Sequence, residues 1–497
     1  MHSIRCVSFV AAACLLGATA CASPARRGGA AAAAPVGPRI THGTAAGAVT
    51  ATSAVIWSRC DRAADLHVAI QGSKISESTA PALAENDFTA KVTVEGLEPA
   101  TTYSYRVWCV AGSGDAAAAG EAVSATFSTA PRTDSPQAVR FVWGGDVGGQ
   151  NACRDRSEGY PIFHTILDQH PDFFIGLGDM VYVDSPCLAT GRYGNQQIPG
   201  PANVSTDLPE FWAYWKYNRE DAALQQVLAS MPYYAVWDDH EVINDFGPQR
   251  DTGPSPPYPP GLHLLPLGRQ AFLDYNPLPS VPPQLYRRIR WGQHLELFVL
   301  DTRSYRDAND RTDDRWHPKT MLGREQLRWL KDGLLHSDAT WKVIVSSVPL
   351  SVQTCLPERG CDGWGRFDRR TGFAYELLDI LRFMQAHHIR KQVWISTDIH
   401  FVAALRYAPF SDDPTFQFYE VDTGPLNAGV FPKHEFDTTL NPTLLFRYPD
   451  DADPARGYTA AKSWFNFGVV RVDEHGSMRI AVINTNGTTL FELSLEP

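Results

Sequence analysis

The sequence predicts an α/β protein that carries an all-β domain at its N-terminal end. Between residues 39 and 131, short segments rich in β-branched and aromatic residues are separated by turn residues, which is the spacing of a β-sandwich. From residue 138 to the end, apolar strands alternate with segments of helical spacing, as in a sheet that is buried on both faces. The chain has 497 residues, 44% of them hydrophobic, which is enough for two or three domains.

The first residues have the order of an export signal. Arg5 is followed by an apolar run from Val7 to Leu16, and then by small residues that end at Cys21; the run is too short to span a bilayer. Cys21 after small residues resembles the lipobox of bacterial lipoproteins, in which this cysteine is lipidated, and an ordinary cleavage site is the alternative. We expect residues 1–21 to be a signal peptide with a lipobox-like end. The protein is then exported to the periplasm or cell surface and contacts the membrane only through a lipid anchor.

The segment after the signal leads into the β-domain. Residues 22–38 are mostly Ala, Gly, Pro and Arg without periodicity, a composition that predicts a flexible tether. In the β-domain, residues 96–103 (Gly-Leu-Glu-Pro-Ala-Thr-Thr-Tyr) resemble the tyrosine corner of fibronectin-III-like domains. We therefore expect residues 39–131 to be a fibronectin-III-like structural domain without chemistry of its own.

The C-terminal part, residues 138–497, is expected to hold the chemistry. Strands are predicted at residues 139–143, 172–177, 233–237, 295–300, 342–346 and 392–396. Residues 160–169 have helical spacing, and Leu327, Leu330 and Leu334 share one helical face. The Pro-rich segment from Pro248 to Pro283 is expected to be irregular, and the last strands, from Gly468 to Leu495, to be joined by hairpin turns.

The cysteine content predicts disulfides, and the net charge limits the kind of partner that the protein can bind. In an oxidising compartment, six cysteines predict three disulfides with fifteen possible pairings, and neighbourhood along the chain favours 60–109, 153–187 and 355–361. These are Cys60, Cys109, Cys153, Cys187, Cys355 and Cys361. A net charge of -11 argues against a sequence-independent nucleic-acid binder, because such proteins need clustered Lys and Arg. The sequence carries no signal for an oligomeric state.

Four of the predicted strands end in loops that carry acidic residues, and two of these loops also contain histidine. The loops are Gly144-Gly145-Asp146, Gly178-Asp179-Met180-Val181-Tyr182, Asp238-Asp239-His240-Glu241 with Asn244 and Asp245 after it, and Thr397-Asp398-Ile399-His400. Ligands in open α/β sheets bind at the carboxyl ends of strands, so these loops can converge on one site. A lone Gly-Asp is usually a turn, but four consecutive ionisable residues after an apolar strand are costly without cations or partners.

This set of side chains favours metal ions of different character. Carboxylate, amide and phenol oxygens suit hard cations, whereas histidine suits borderline transition metals. Two metals that share a carboxylate position a hydroxide and hold a phosphoryl group. The loops therefore predict hydrolysis of a phosphate ester.

The motifs resemble the PhoD-like alkaline phosphatase/phosphodiesterase group of the calcineurin-like metallophosphoesterase superfamily. The residues that carry the resemblance over about 40–495 are Phe141-Val142-Trp143-Gly144-Gly145-Asp146, Gly178-Asp179-x-x-Tyr182, Trp237-Asp238-Asp239-His240-Glu241, Asp301-Thr302-Arg303-Ser304-Tyr305-Arg306 and Asp398-x-His400. The resemblance implies a four-layer metallophosphoesterase β-sandwich flanked by helices. It also implies a phosphoric ester hydrolase that uses a metal-bound hydroxide on a small-molecule or lipid phosphate ester.

The resemblance further implies a cluster of Fe³⁺ and Ca²⁺, with a Zn²⁺ or Mn²⁺ pair as the alternative. Asp146, Tyr182 and His400 are then expected to hold the iron, Asp179 to bridge, and Asp239 or Asn244 with Asp398 to hold the calcium. Asp184 either reaches a further calcium or ends its loop. Some relatives supply a cysteine to the iron, but here Asp146 stands in that loop and Cys153 is expected to form a disulfide. Thr397 replaces a glycine that is frequent in the family.

Three residues near these loops are candidates for substrate chemistry. His240 is expected to be a general acid, or else a histidine that only orients Asp239. Arg303 and Arg306 are expected to contact the substrate phosphate or the rest of the ester, or else to form surface ion pairs. The alternative functions are a phospholipase-D-like phosphodiesterase and a secreted calcium-dependent binding protein.

Overall fold

The computed structural model describes residues 37–72, 77–114, 117–248, 261–279, 284–356, 360–366 and 371–497. The predicted signal peptide (1–21), Cys21 and residues 22–36 of the predicted tether lie outside the described residues. Within the described ranges, no helix is both long and apolar enough to cross a membrane.

The strands, in chain order, are β1 (Ile40–Gly47), β2 (Ser53–Cys60), β3 (Ala64–Ile70), β4 (Ser78–Ala82), β5 (Thr89–Glu95), β6 (Thr102–Ala111), β7 (Ala118–Ala119), β8 (Val123–Ser128), β9 (Val139–Gly144), β10 (Phe173–Leu177), β11 (Pro232–Val236), β12 (Arg287–Trp291), β13 (Leu295–Val299), β14 (Trp341–Val345), β15 (Cys355–Leu356), β16 (Gly360–Cys361), β17 (Gln392–Ser396), β18 (Val402–Tyr407), β19 (Phe418–Asp422), β20 (Pro442–Tyr448), β21 (Asn466–Val472), β22 (Met478–Asn484) and β23 (Thr489–Leu495). The helices are α1 (Ile162–Leu167), α2 (Leu208–Arg219), α3 (Ala222–Ser230), α4 (Gly261–Tyr275), α5 (Gly323–His336), α6 (Ala374–Ala386) and α7 (Gly457–Trp464).

Two large mixed sheets form the middle of the fold. Within the described ranges, one has the strand order β23-β22-β21-β9-β10-β11-β1-β2-β5 and the other the order β12-β13-β14-β17-β19-β18-β20. β9, β10 and β11 run parallel to one another, as do β13, β14, β17 and β19. Parallel strands bring their carboxyl ends to one edge of a sheet, so each sheet presents the loops that follow these strands along one edge.

The hydrophobic side chains divide into three layers of core. Alternate residues of a strand point to opposite faces of its sheet, and the two central sheets are apolar on both. Phe141 of β9 and Val343 of β14 lie in the core between the sheets, whereas Val142 packs with α1 to α4 and Ile344 with α5 and α6. The order helix, sheet, sheet, helix confirms the predicted four-layer α/β sandwich.

The N-terminal strands have two kinds of neighbour. β3, β4, β6, β7 and β8 form a separate small sheet, and Tyr103 Oη accepts a hydrogen bond from Glu98 N at 2.8 Å, as in a tyrosine corner. β1, β2 and β5 instead extend the first large sheet, because β1 pairs in parallel with β11 through Ala46 and Pro232. The all-β character of the N-terminal part is as predicted. The first large sheet, however, contains strands from both sides of the predicted domain boundary at 131–138. The boundary itself stays a prediction.

Two predictions about local structure have different outcomes. Leu330 and Leu334 are buried on α5 and Leu327 packs against the same core, so the predicted helical face is confirmed. The expectation of an irregular segment from Pro248 to Pro283 is wrong, because α4 occupies its middle. Buried residues of α4, Leu264 and Phe272 among them, pack in the core beside α2, and this tertiary contact outweighs the proline-rich composition.

The three disulfides join the pairs that neighbourhood along the chain favours. Cys60 and Cys109 link β2 to β6, and Cys153 and Cys187 link the loops after β9 and β10. Cys355 and Cys361 close the hairpin of β15 and β16. Cys153 is therefore disulfide-bonded in the structure, as predicted.

Candidate metal centre

The ends of four parallel strands bring the predicted loops together. β9, β10 and β11 deliver Asp146, Asp179 and Asp239 from the first sheet, and β17 delivers Asp398 from the second. A hydrogen bond joins the loops of the two sheets, because Thr397 Oγ1 donates to Leu177 O at 2.6 Å. The threonine that replaces the family's glycine therefore has a structural contact of its own.

Asp146, Tyr182 and His400 form the first half of the site. Tyr182 Oη lies 2.9 Å from His400 Nε2 and 3.2 Å from Asp146 Oδ1, and His400 Nε2 lies 3.5 Å from Asp146 Oδ1. The phenol approaches the main chain closely, since a Cβ on Gly149 would lie 2.5 Å from Tyr182 Cζ. These three predicted ligands are thus within reach of a single ion.

His400 presents its Nε2 atom to the site in the neutral form. Its Nδ1 lies 2.5 Å from Gly429 O, and because a carbonyl only accepts, Nδ1 carries the proton. Burial lowers the pKa of His400 to about 4. A neutral imidazole oriented by a carbonyl through its other nitrogen is the usual form of a histidine metal ligand.

Asp179 lies between the two halves of the site. Its Oδ1 accepts a hydrogen bond from His240 N at 3.1 Å, while its Oδ2 is buried without a donor among the described residues. Asp179 belongs to two groups of ligand atoms that lie within 4.8 Å of one another, one with Asp146 and His400 and one with Asp239 and His240. This position suits the bridging role expected for Asp179.

The second half of the site contains only oxygen ligands. Asp238, Asp239 and Asp398 have ligand atoms within 4.8 Å of one another, and so do Asp239, Asp245 and Asp362. Asp239 Oδ1 is buried without a hydrogen-bond donor among the described residues. Asn244 lines the same cavity as Asp239 and Asp398, so both of the expected alternatives, Asp239 and Asn244, face the site.

Burial makes these carboxylates hard to ionise without a cation. It raises the pKa of Asp146, Asp179 and Asp398 well above the usual value, and in each case neighbouring carboxylates raise it further. Burial and Asp179 likewise raise the pKa of the Tyr182 phenol. Bound cations reverse such shifts by favouring the charged form of each ligand.

The backbone is strained where the ligands lie. Asp146, Asp179, Asp398 and His400 have φ of 65°, 52°, 73° and 60°, in the left-handed region that L-residues rarely adopt. Such strain is maintained only where the surroundings impose it, and it clusters at functional sites. Here it occurs at four of the predicted ligands.

His240 is held by Asp184, a residue that the sequence did not predict as its partner. Its Nδ1 lies 2.5 Å from Asp184 Oδ1, and the other oxygen of Asp184 accepts from Asn244 N at 2.8 Å. Burial opposes the charge on His240, but Asp184 and Asp239 outweigh it and raise its pKa to about 9. Asp184 is thus the partner of His240, with both oxygens engaged in the protein; of the two alternatives for it, a further calcium ligand or the end of its loop, these contacts favour the second.

Arg303 and Arg306 lie beneath the site rather than in it. The Arg303 guanidinium contacts Asp238 at 2.5 Å and Asp362 at 2.7 Å, and Arg306 contacts Asp362 at 3.2 Å. Both arginines are buried and neither lines the cavity. The two arginines therefore form a buried network that holds carboxylates. This differs from both predictions for them, a direct contact with substrate and surface ion pairs.

Two residues that support the site were missed as functional positions. Glu241 accepts from the backbone N of Asp179, Met180 and Asp238 at 2.8–3.1 Å, so it ties two ligand loops together. Asn218 of α2 donates to Met180 O at 2.8 Å. Glu241 belongs to the motif Trp237-Asp238-Asp239-His240-Glu241, so the sequence offered a reason to single it out. Nothing in the segment around Asn218 indicates a role at the site.

Five of the candidate ligands, Asp179, Asp239, Asn244, Asp398 and His400, line one cavity of about 370 Å³, while Asp146 and Tyr182 contact His400. The acidic and histidine residues of this cavity are Asp179, Asp239, His240, Asp245, Asp362, Asp398 and His400. The donor set fits metal ions, since carboxylate oxygens without partners lie beside a neutral histidine and a phenol in a buried setting. What the arrangement can do chemically is to hold two or more cations side by side.

Comparisons with known proteins agree with this geometry. A family model described as PhoD-like phosphatase matches residues 141–489, and one described as the N-terminal domain of PhoD-like phosphatase matches residues 23–131. Alkaline phosphatase D of Bacillus subtilis (strain 168) is 25% identical over 406 residues. The match covers 72% of this chain and 64% of that protein, so the chain spans less than two thirds of the relative's length.

Solved structures show the same fold. A structure described as that of PhoD has a TM-score of 0.71 at 19% identity and covers 92% of this chain and 93% of its own. The purple acid phosphatase PPD1 from yellow lupin (Lupinus luteus) seeds has a TM-score of 0.57 at 12% identity, with coverage of 92% and 73%. At these identities the likeness concerns the fold alone, and it confirms the predicted sandwich.

Proposed function

The chain belongs to the PhoD-like phosphatase family, and from this premise we propose that it is a metal-dependent phosphoric ester hydrolase, an alkaline phosphatase or phosphodiesterase. The observation that carries the proposal is the convergence of Asp146, Asp179, Asp239 and Asp398, from four strand ends, on one cluster of neighbouring ligand groups. Buried carboxylate oxygens without hydrogen-bond donors are costly unless cations compensate them. Metal ions that share a carboxylate are the common means of hydrolysing phosphate esters.

Our proposal for the metals is Fe³⁺ in the first half of the site and Ca²⁺ in the second. Asp146, Tyr182 and His400 would hold the iron, because a phenolate is a strong donor to a trivalent ion. Asp239 and Asp398 would hold the calcium, which prefers oxygen ligands, and Asp179 would bridge. When bound, the ions lower the pKa of a coordinated water and neutralise charge on the phosphoryl oxygens. A Zn²⁺ or Mn²⁺ pair is the alternative.

His240 is proposed as the proton donor to the leaving oxygen. Its contact with Asp184 fixes the ring and uses Nδ1, so Nε2 is the nitrogen that remains for a substrate atom in the cavity. Against the effect of burial, the Asp184 carboxylate raises the pKa of His240 and so favours the protonated imidazole, which a general acid needs.

Arg303 and Arg306 are proposed as positioning residues. Arg303 contacts Asp238 directly and lies 3.8 Å from Asp239 and 3.9 Å from Asp398. Its charge therefore holds three carboxylates of the calcium side in one arrangement while leaving their free oxygens to the cavity.

A single set of measurements tests the proposal. The purified protein is analysed for bound metals and assayed with 4-nitrophenyl phosphate and bis(4-nitrophenyl) phosphate, a monoester and a diester. We expect iron and calcium to be bound and at least one ester to be hydrolysed. A protein that binds calcium but hydrolyses neither ester would instead be the calcium-dependent binding protein, and the ratio of the two rates distinguishes a phosphatase from a phospholipase-D-like phosphodiesterase.

Selective chelation separates the two halves of the site. EGTA is expected to inactivate the enzyme reversibly by removing Ca²⁺, while the iron and its phenolate-to-metal colour remain. Loss of colour together with calcium contradicts the separate assignment of the two halves. A colourless, active protein that contains only zinc contradicts the iron assignment and leaves the choice of loops intact.

A further inference from the structure

One part of the cavity wall differs chemically from the acidic residues that would hold the metals. Phe431, Ile399 and Lys433 line it, and Lys433 is the single Lys or Arg of the lining within the described part of the chain. Phe431 and Lys433 follow Gly429, whose carbonyl orients His400. The segment that orients a ligand therefore also contributes an aromatic ring and a cation to the same cavity.

The Phe431 ring is held in place by its neighbours. The Arg192 guanidinium lies 4.8 Å from the ring centroid, and the His400 ring lies 5.5 Å away at an angle of 48°. A Cβ on Gly429 would lie 2.8 Å from Phe431 Cζ, so the ring occupies the space that a side chain at this glycine would need. Phe431 is nevertheless 36% exposed, so part of a fixed aromatic surface remains free at the cavity.

The Lys433 ammonium has more N–H donors than it uses within the described protein. Its Nζ donates to Gln353 O at 2.7 Å, and an ammonium has three donors. No carboxylate among the described residues forms an ion pair with it, although Lys433 is more than half buried. The segment is anchored beyond Lys433, because Asp437 N donates to Ser351 O at 2.8 Å. The charges of Asp398 and Asp245 act on Lys433 across the cavity without a direct ion pair, so the spare donors of its ammonium can reach an anionic group of a ligand.

From these contacts we propose that Phe431 and Lys433 bind the leaving-group half of the phosphate ester, and that this half carries a planar ring and an anionic group. The inference rests on the proposed function, because it takes the phosphoryl group to bind at the carboxylate cluster. An aromatic ring favours a planar leaving group over an alkyl one by roughly 2- to 10-fold in affinity. A charge-assisted hydrogen bond from Lys433 to an anion adds roughly 10-fold or more.

Non-hydrolysable phosphonates separate this binding site from catalysis. Binding of methylphosphonate, phenylphosphonate and carboxyphenylphosphonate (3- and 4-substituted) to the metal-loaded full chain is measured by titration calorimetry. For the wild type we expect affinity to rise from methyl to phenyl and again from phenyl to at least one carboxyphenyl compound. Phe431→Leu should remove the first increase and Lys433→Gln the second, each without changing the affinity for methylphosphonate.

The controls match each variant by residue type. Lys433→Gln keeps an N–H donor for Gln353 O while removing the charge, and thermal unfolding with metal analysis checks that each variant is folded and loaded. Lys462→Gln, at a surface ion pair with Glu158, and Trp316→Leu, at a side chain 72% exposed that does not line the cavity, should leave the affinities for all four phosphonates unchanged.

The outcomes distinguish this inference from the proposed function. Equal affinity of the wild type for all the phosphonates overturns the binding site, whether or not esters are hydrolysed. An equal loss for every phosphonate in Lys433→Gln means that the ammonium contacts the phosphonate itself, which also overturns it. The graded affinities without hydrolysis of either nitrophenyl ester would leave the binding site intact and contradict the catalytic proposal.

Discussion

The Nδ1 atom of His240 lies 2.5 Å from a carboxylate oxygen of Asp184, and the two residues come from the loops after β11 and β10. Burial opposes the ionisation of Asp184, but the charge of His240 outweighs it and lowers the pKa of the carboxyl. Each partner thus stabilises the charged form of the other. The pair resembles the arrangement in which a carboxylate orients a histidine for proton transfer.

We expect His240→Ala to reduce the rate of ester hydrolysis by roughly 10²- to 10⁴-fold with bound metal retained, because a positioned proton donor contributes about that much. Steady-state kinetics and metal analysis check this. His475→Ala, at an exposed side chain on the hairpin after β21, is the control and should be unchanged. An equal loss of metal and rate would make His240 a metal ligand instead.

Asp179→Ala is expected to abolish hydrolysis and to lower bound metal, because ligand atoms of this carboxylate lie near both halves of the site. Elemental analysis of the purified variant measures the loss. Asp332→Ala removes an exposed carboxylate from α5 and should change neither quantity. Full metal content with undiminished turnover in Asp179→Ala would refute the bridging role.

Arg303→Met should destabilise the protein by about 3–5 kcal/mol, since it leaves the buried carboxylate of Asp238 without its arginine and Asp362 with Arg306 alone. Denaturant unfolding measures this free energy. In Arg382→Met, loss of the exposed ion pair with Asp412 should cost only about 0–1 kcal/mol. If Arg303→Met instead keeps full stability but weakens substrate binding, the arginine contacts substrate after all.

Because Glu420 is buried in β19, we expect the free energy of unfolding to fall as pH rises. Burial raises its pKa to about 7 from 4.5, although Tyr407 and Leu350 N donate to it. Between these pH values the unfolded chain has released the proton that the folded chain keeps, so folding loses up to about 3 kcal/mol. Glu420→Gln should reduce the fall in unfolding free energy between pH 5 and pH 8, while other buried carboxylates with raised pKa, such as Asp422, keep part of it. Glu85→Gln, at an exposed position, should retain it, and an unaltered pH dependence in Glu420→Gln would contradict the assignment.

The anchor prediction concerns residues before the described part of the chain. Cys21→Ser should release the protein from the membrane fraction into the soluble fraction, because the predicted tether from residue 22 to 38 has no apolar face to hold it. Fractionation of cells that express each form measures the distribution. A wild-type protein that is already soluble indicates an ordinary cleaved signal.

Much of the fold and the identity of the ligand loops followed from local sequence. Apolar strands such as 172–177 are recognisable from their composition, and acidic residues after four such strands together indicated a function, although a single Gly-Asp, as at Asp179, would not have done so. Neighbourhood along the chain also sufficed for the disulfides, since each pair lies within 49 residues. The amphipathic face of α5 needed only its own periodicity.

Other features were decided by contacts between distant segments. The prediction for Asp184 was incomplete because its partner His240 lies 56 residues away, and Arg303 was expected at the substrate because nothing in its own segment reveals Asp362, 59 residues further on.

By itself, then, the sequence determined the strands, the residue types at their ends and the chemistry those types allow, because these depend on composition and short spacing. The tertiary structure alone decided that β1 extends the sheet of β11, that Arg303 supports carboxylates instead of facing the cavity, and that Phe431 and Lys433 line it. Each of these depends on which segments meet in space, and the burial and neighbouring charge that decide a side chain's role arise only when they meet.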